Sequence, residues 1–201
     1  EARREQLMDA TLATLARRGL AQTTLAEVAD AAGLSRGIVN FHFDSKERLL
    51  LATLTRLSAE YEAAWHGAME AAGPSAAARL RALVAADFSE RVCSPEKVAA
   101  WFAFFAEAAA RPDYRDLCWA RDDGLLDAFR TLCRALEAEG GYGHDAEATA
   151  MALYAMQEGL WLRLMLGNAD LSREEALAIA MGMLGTLFPR HFTPEGALVA
   201  G

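Results

Sequence analysis

The sequence predicts an all-α fold, and three observations carry that prediction. Apolar residues recur at the 3.6-residue period of a helix through the long segments, Ser, Thr or Asp precede these segments with Gly or Pro after them, and no stretch reads convincingly as a strand. With 201 residues and 53% hydrophobic content, the chain can bury a sizeable core, as one long domain or as a small domain on a larger one.

Residues 3–18 set Leu7, Ala10, Thr11, Leu12, Thr14 and Leu15 at helical spacing, and Gly19 closes the segment. Arg3 and Arg4 read as a solvated helix start, the alternative being contact with a nucleic-acid backbone. Thr24 and Glu27 stand at the spacing of a capping box, so a second helix begins at Leu25, with Leu25, Val28, Ala29 and Ala32 on one face and Gly33 as a left-handed stop. Leu34 fills the corner and Ser35 caps a third short helix. Ile38 and Phe43 supply its inward side, leaving Arg36, Val39, Asn40 and His42 outward. This is the pattern of a helix-turn-helix. An outward cation, amide and small apolar group suit base edges and thymine methyls.

Asp44 or Ser45 caps the next helix, whose first turn holds Lys46, so amide dipoles and an ammonium point where a phosphate can sit. That helix continues to about Ala72 with Leu49, Leu50, Leu54, Leu57, Tyr61 and Trp65 inward, until Gly73-Pro74 breaks it. Ser75 to about Arg91 is amphipathic, and Ser94-Pro95-Glu96 starts a further helix carrying Trp101, Phe102, Phe104 and Phe105. Arg111-Pro112-Asp113 ends it and opens a long helix through Glu139, followed by the loop Gly140-Gly141-Tyr142-Gly143. His144 or Asp145 begins a helix to Gly167, and Ser172 caps a last one to about Leu187, before Pro189. Nine helices are expected, with a division into residues 1–47, which would contact DNA, and residues 48–201, which would bind an effector and dimerise.

Charge and chemistry narrow the function. The net charge of -8 alone argues against a nucleic-acid binder, yet residues 1–56 carry eight Lys/Arg against seven Asp/Glu and the remainder carries the acid. A near-neutral reading head attached to an acidic body gives weak non-specific binding, so affinity calls for two heads in a dimer. Cys93, Cys118 and Cys133 are odd in number and widely spaced, and read as small core hydrophobes rather than disulfide or zinc residues. No run of about eighteen apolar residues lacks a charge and no signal-peptide pattern opens the chain at Glu1, so no membrane span and a cytoplasmic location are expected. No P-loop, GxGxxG, GxSxG, HExxH or paired-cysteine motif appears, and an enzyme is not expected, nor a cofactor or metal.

Fifteen of seventeen aromatic residues lie beyond residue 56. Tyr154, Glu158, Trp161 and Met165 fall at i, i+4, i+7 and i+11, which places a carboxylate between two rings on one helix face. Trp101, Phe105 and Trp119 can add ring faces, and Glu107 or Asp87 a second carboxylate, as a quaternary ammonium requires, since it attracts rings but donates no hydrogen bond. The alternative is that these side chains only fill a core, with Glu158 paired to Arg163 or capping a neighbour. Ala148, Ala152, Ala155 and Gly159, with Ala176, Ala180 and Gly182, form small-residue stripes that admit another helix closely, in the same chain or a second copy.

Thr24, Val28, Ala29, Ala32, Gly33, Leu34, Ser35, Gly37, Phe43, Lys46 and Leu49 together resemble the signature of the TetR family of bacterial repressors. The resemblance implies phosphate contacts from Thr24, Ser35, His42 and Lys46 and base contacts from Arg36, Gly37, Val39 and Phe41. It also implies a homodimer through the last two helices on a palindromic operator in double-stranded DNA. Asn40 and His42 stand where many members carry tyrosine, and Asp44 where proline is common. RREQLMDATL, KVAAWFAFFAEAA and EGLWLRLMLG are similar to the BetI branch, repressors of choline-to-glycine-betaine synthesis relieved by choline. The effector implied is choline or a similar quaternary ammonium; the alternative is an apolar or acyl molecule, as in other branches.

Overall fold

The computed structural model describes residues 1–167 and 171–199, and within them the chain is helical: α1 (Ala2–Gln22), α2 (Leu25–Ala32), α3 (Arg36–His42), α4 (Lys46–Ala71), α5 (Ala76–Asp87), α6 (Pro95–Ala108), α7 (Pro112–Gly140), α8 (Ala146–Met165) and α9 (Arg173–Leu187). The only extended pairing among the described residues is an isolated antiparallel bridge, Phe192 with Leu198.

The caps explain the boundaries. Thr24 accepts from the Glu27 amide at 3.2 Å while Glu27 reaches back to the Thr24 amide at 3.1 Å, and Gly33 ends α2 in the left-handed region at φ 64. Ser172 and Glu175 form a second capping box at α9, and backbone and hydroxyl donors at Ser172 hold the Glu175 carboxyl below its ordinary pKa. Ser94 with Pro95 opens α6, and the Asp145 carboxylate accepts two amides at the start of α8. Gly19 interrupts α1 with φ 72, so the helix kinks there and resumes for a few residues instead of stopping. α5 ends at Asp87, four residues before the amphipathic pattern does, and turns follow.

Two compact packing units result. One comprises Glu1–Glu60 with Ser94–Ala120, the other Tyr61–Cys93 with Arg121–Gly201. Packing therefore divides the chain differently from the 47/48 boundary: α6 and the first residues of α7 fold with α1–α3, and α1 packs on both α2 and α6. In the first unit Leu7, Met8, Ala10, Val28, Ala29, Ala32, Val39, Phe43 and Leu49 form one buried cluster. In the second, residues after α9 fold back on it. A Cβ on Gly185 would lie 2.9 Å from Pro194 Cα, a separation that only glycine permits.

Candidate nucleic-acid interface and effector cavity

The recognition surface follows from the phase of α3. Ser35 accepts from the Ile38 amide, so α3 starts at Arg36, and Val39 and Phe43 fall one turn apart on its inward face. Val39 is 0% exposed and joins the core of the head, which corrects the expectation that it faces bases; Ile38, expected inward, is half-buried. Arg36, Gly37, Asn40 and Phe41 remain outward, and Phe41 is 84% exposed, a large ring held in solvent for which the fold has no use. His42 is half-buried, its ring edge-on to Phe41 at 5.1 Å.

The expected phosphate contacts have roles inside the fold. Thr24 and Ser35 are exposed caps, and the Thr24 hydroxyl lies 3.2 Å from Glu27 Oε2. Lys46 Nζ donates to the carbonyls of Leu20 (3.0 Å) and Ala21 (3.4 Å), tying the start of α4 to the end of α1. Ser45, not Asp44, caps α4, accepting from the Arg48 amide at 3.2 Å. The Glu47 carboxyl is held below its ordinary pKa by its backbone amide and then by the Ser45 hydroxyl, as a helix start dictates. Arg4 stacks over the Phe43 ring at 4.4 Å and donates to the His42 carbonyl, while Arg3 donates to Gln6.

In the second unit Tyr61, Asp87, Leu125, Tyr154, Gln157, Glu158 and Trp161 line one cavity of about 10 Å³, the space of a single water molecule. The Tyr61 hydroxyl donates to Asp87 Oδ1 at 2.6 Å, and Trp161 Nε1 donates to the Asp87 carbonyl at 3.1 Å. Tyr154 donates to Glu158 Oε1 at 2.9 Å, and the Tyr61 and Trp161 rings meet edge to face at 5.9 Å. The site thus combines a carboxylate only 5% exposed, a second carboxylate and three aromatic rings. Burial and then the Asp87 charge push the nearby Cys93 thiol up to about 12, so it stays neutral.

The structure brings together Tyr154, Glu158, Trp161 and the candidate second carboxylate Asp87. Tyr61, which helical spacing assigned to core, and Gln157 were not foreseen. Of the other expected ligand residues, Trp101 and Phe105 stack at 5.7 Å in the first unit, Trp101 fully buried, and Trp119 is exposed with Arg115 over its ring at 5.2 Å. Met165 is half-buried at the end of α8. Among the described residues no group of three or more His, Cys, Asp or Glu side chains is placed to hold a metal.

Two sequence families match this architecture. Residues 7–53, the helix-turn-helix and its supports, match the bacterial regulatory proteins of the tetR family, and residues 76–189 match the C-terminal region of BetI-type transcriptional repressors. The chain belongs to the TetR family of transcriptional regulators. Its BetI-type region accords with a regulator named BetI from Paraburkholderia phymatum, 38% identical over 90% of each chain, and one from Burkholderia thailandensis, 36% identical over the same share. A transcriptional regulator of Pseudomonas aeruginosa PAO1 superposes with a TM-score of 0.77 at 28% identity, covering 94% of this chain and 91% of that one. A regulator from Saccharomonospora viridis, solved in complex with choline, shares the fold with a TM-score of 0.78 at 21% identity, covering 91% and 95%.

TetR-family regulators bind DNA and small-molecule effectors and dimerise. α8 exposes Ala148, Met151, Ala152, Ala155, Gly159, Leu162 and Leu166 along one side, and α9 exposes Ala178, Ile179 and Met183. Ala176 and Ala180, on the stripe that admits a helix of the same chain or of a second copy, are 0% exposed and pack within the chain, and half-buried Gly182 faces Pro194. The outward face of α9 lies about 100° around the helix from those alanines. No helix among the described residues is long and apolar enough to cross a membrane.

Proposed function

We propose that this repressor binds a palindromic operator as a homodimer and is released by choline or a similar quaternary ammonium, whose entry parts the walls of the Tyr61–Asp87–Glu158–Trp161 cavity. The observation that carries the effector is the pairing of two carboxylates with three aromatic rings. A cation without N–H donors is recognised by ring faces and by charge rather than by directed hydrogen bonds. The BetI-type C-terminal region and the choline complex of a relative with the same fold support the same ligand. Arg36, Gly37, Asn40 and Phe41 read bases, and Thr24, Ser35, His42 and Lys46 contact phosphate. The dimer forms through the exposed faces of α8 and α9, and the protein works in the cytoplasm.

One helix links the two events. α4 starts at Lys46 in the head and carries Tyr61 of the cavity, so a ligand that moves Tyr61 moves the helix on which the reading head is mounted. Release depends on the ligand preferring the conformation with the wrong head spacing. Selection from a random duplex pool followed by gel shift tests this: a palindromic sequence should emerge, and choline should release it while a neutral isostere leaves it bound. Selection of no palindrome, or release by both compounds alike, would reject the proposal.

A further inference from the structure

A second cavity, of about 260 Å³, opens between α4, α5 and α7 within the second unit and shares no residue with the Tyr61–Asp87 cavity. Its floor is apolar, made of the buried side chains of Trp65, Met69 and Leu132, and Arg79, His66, Asp127 and Thr131 stand around it. Gly124 leaves the edge of Trp65 open, since a Cβ there would come to 3.9 Å from Cζ2. The charges on this rim are unevenly served. Asp127 pairs with Arg130 at 3.4 Å and His66 lies 3.8 Å from Glu62. Half-buried Arg79 makes no ion pair or hydrogen bond among the described residues, and its Nε is shut off from water. In a chain with 28 Asp and Glu against 20 Lys and Arg, the fold has placed no carboxylate on this guanidinium.

We propose that this cavity is a second small-molecule site, built for an aromatic monocarboxylate. The ring covers Trp65, Met69 and Leu132, and the carboxylate lies along the planar fork of Arg79, accepting two parallel N–H bonds. One ligand then supplies both things the cavity lacks, apolar cover for the floor and an acceptor for the guanidinium. An uncharged aromatic serves only the floor, and a quaternary ammonium meets Arg79 with like charge. A dianion such as a phosphate ester is disfavoured by Asp127 on the same rim. The volume is just below the usual range of ligand clefts and limits the body to about one ring with a short acid arm. The site does not depend on the cation reading. Trp65 lies about one turn beyond Tyr61 on α4, so an occupant bears on the same helix that starts in the reading head.

The test titrates benzoate and its neutral isostere benzamide into the intact protein, read by calorimetry and on the four tryptophan indole N–H signals, each assigned with its Trp→Phe variant. Benzoate should move the Trp65 signal and leave that of Trp161 in place, and it should bind roughly tenfold more tightly than benzamide. Arg79→Met keeps an apolar stem beside the floor and removes the fork. It should bring benzoate down to the level of benzamide, with the native indole spectrum and choline binding unchanged. A Trp65 signal unmoved by millimolar benzoate, equal movement by both compounds, or a benzoate preference that survives in Arg79→Met would overturn the site, and each leaves the choline titration to be decided separately.

Discussion

Lys46 Nζ lies 3.0 Å from the carbonyl oxygen of Leu20, so the first residue of α4 clamps the end of α1. An ammonium has three donors, and two carbonyls leave one direction for a phosphate. Lys46→Ala should therefore do two things. The loss of a charge-assisted hydrogen bond should cost the head about 2 kcal/mol of stability, and the slope of log affinity against log salt should become shallower by about one unit on every DNA sequence. A destabilised variant with an unchanged slope would make Lys46 a structural clamp only.

Val39 and Phe41 should separate stability from recognition. Val39→Ala opens a cavity in the head and should cost roughly 2 kcal/mol in denaturant unfolding. Phe41→Ala should leave the unfolding curve in place while weakening the operator and relaxing preference at one base position. If the effects fell the other way round, the phase assigned to α3 would be wrong.

The α8 and α9 faces predict a charge-sensitive dimer. Ile179→Asp or Gly159→Arg places a charge on an exposed side of a helix, where a monomer tolerates it and an apolar interface does not. Sedimentation should show monomers with native helix content, and operator binding should collapse with them. Dimers of unchanged stability would move the interface elsewhere.

Cys93 and Cys133 set an alkaline limit. Burial pushes both thiols from the ordinary 9.0 to about 12, so between those values the unfolded chain has lost protons that the folded chain still holds. Their contribution to stability is complete below about pH 9 and declines as pH rises toward 12. Thermal midpoints should fall across that window, and less so in the double alanine variant measured against its own neutral-pH midpoint. Thiol reagents at pH 8 should label these cysteines at the rate of unfolding; fast labelling of the folded protein would contradict their burial.

Much of this was legible in the sequence because helix ends are local chemistry. Thr24 with Glu27, Ser94 with Pro95 and Ser172 with Glu175 each specify a start within one turn, independent of anything distant. Side-chain phase in a seven-residue helix is less secure. A shift of one position rotates a side chain by about 100°, enough to exchange Ile38 and Val39 between core and surface. On α9 the small-residue stripe of Ala176 and Ala180 could not say whether the helix it admits belongs to the same chain or to a second copy. The Tyr154–Glu158–Trp161 face was readable from i, i+4, i+7 spacing on one helix. Tyr61 and Asp87 come from α4 and α5, and periodicity cannot distinguish a ring in a cavity wall from a ring in the core. Gln157 gave no signal, since its place in the cavity wall exists only once neighbouring helices surround it.

The measurement closest to the central claim is a calorimetric titration of the dimer with choline and with 3,3-dimethylbutanol, which has the same shape without the charge. Choline should bind and the neutral isostere should not, and Glu158→Gln or Trp161→Phe should weaken choline at least tenfold without changing the fold. Equal binding of the two compounds, or choline affinity untouched by both substitutions, would contradict a cation site in this cavity.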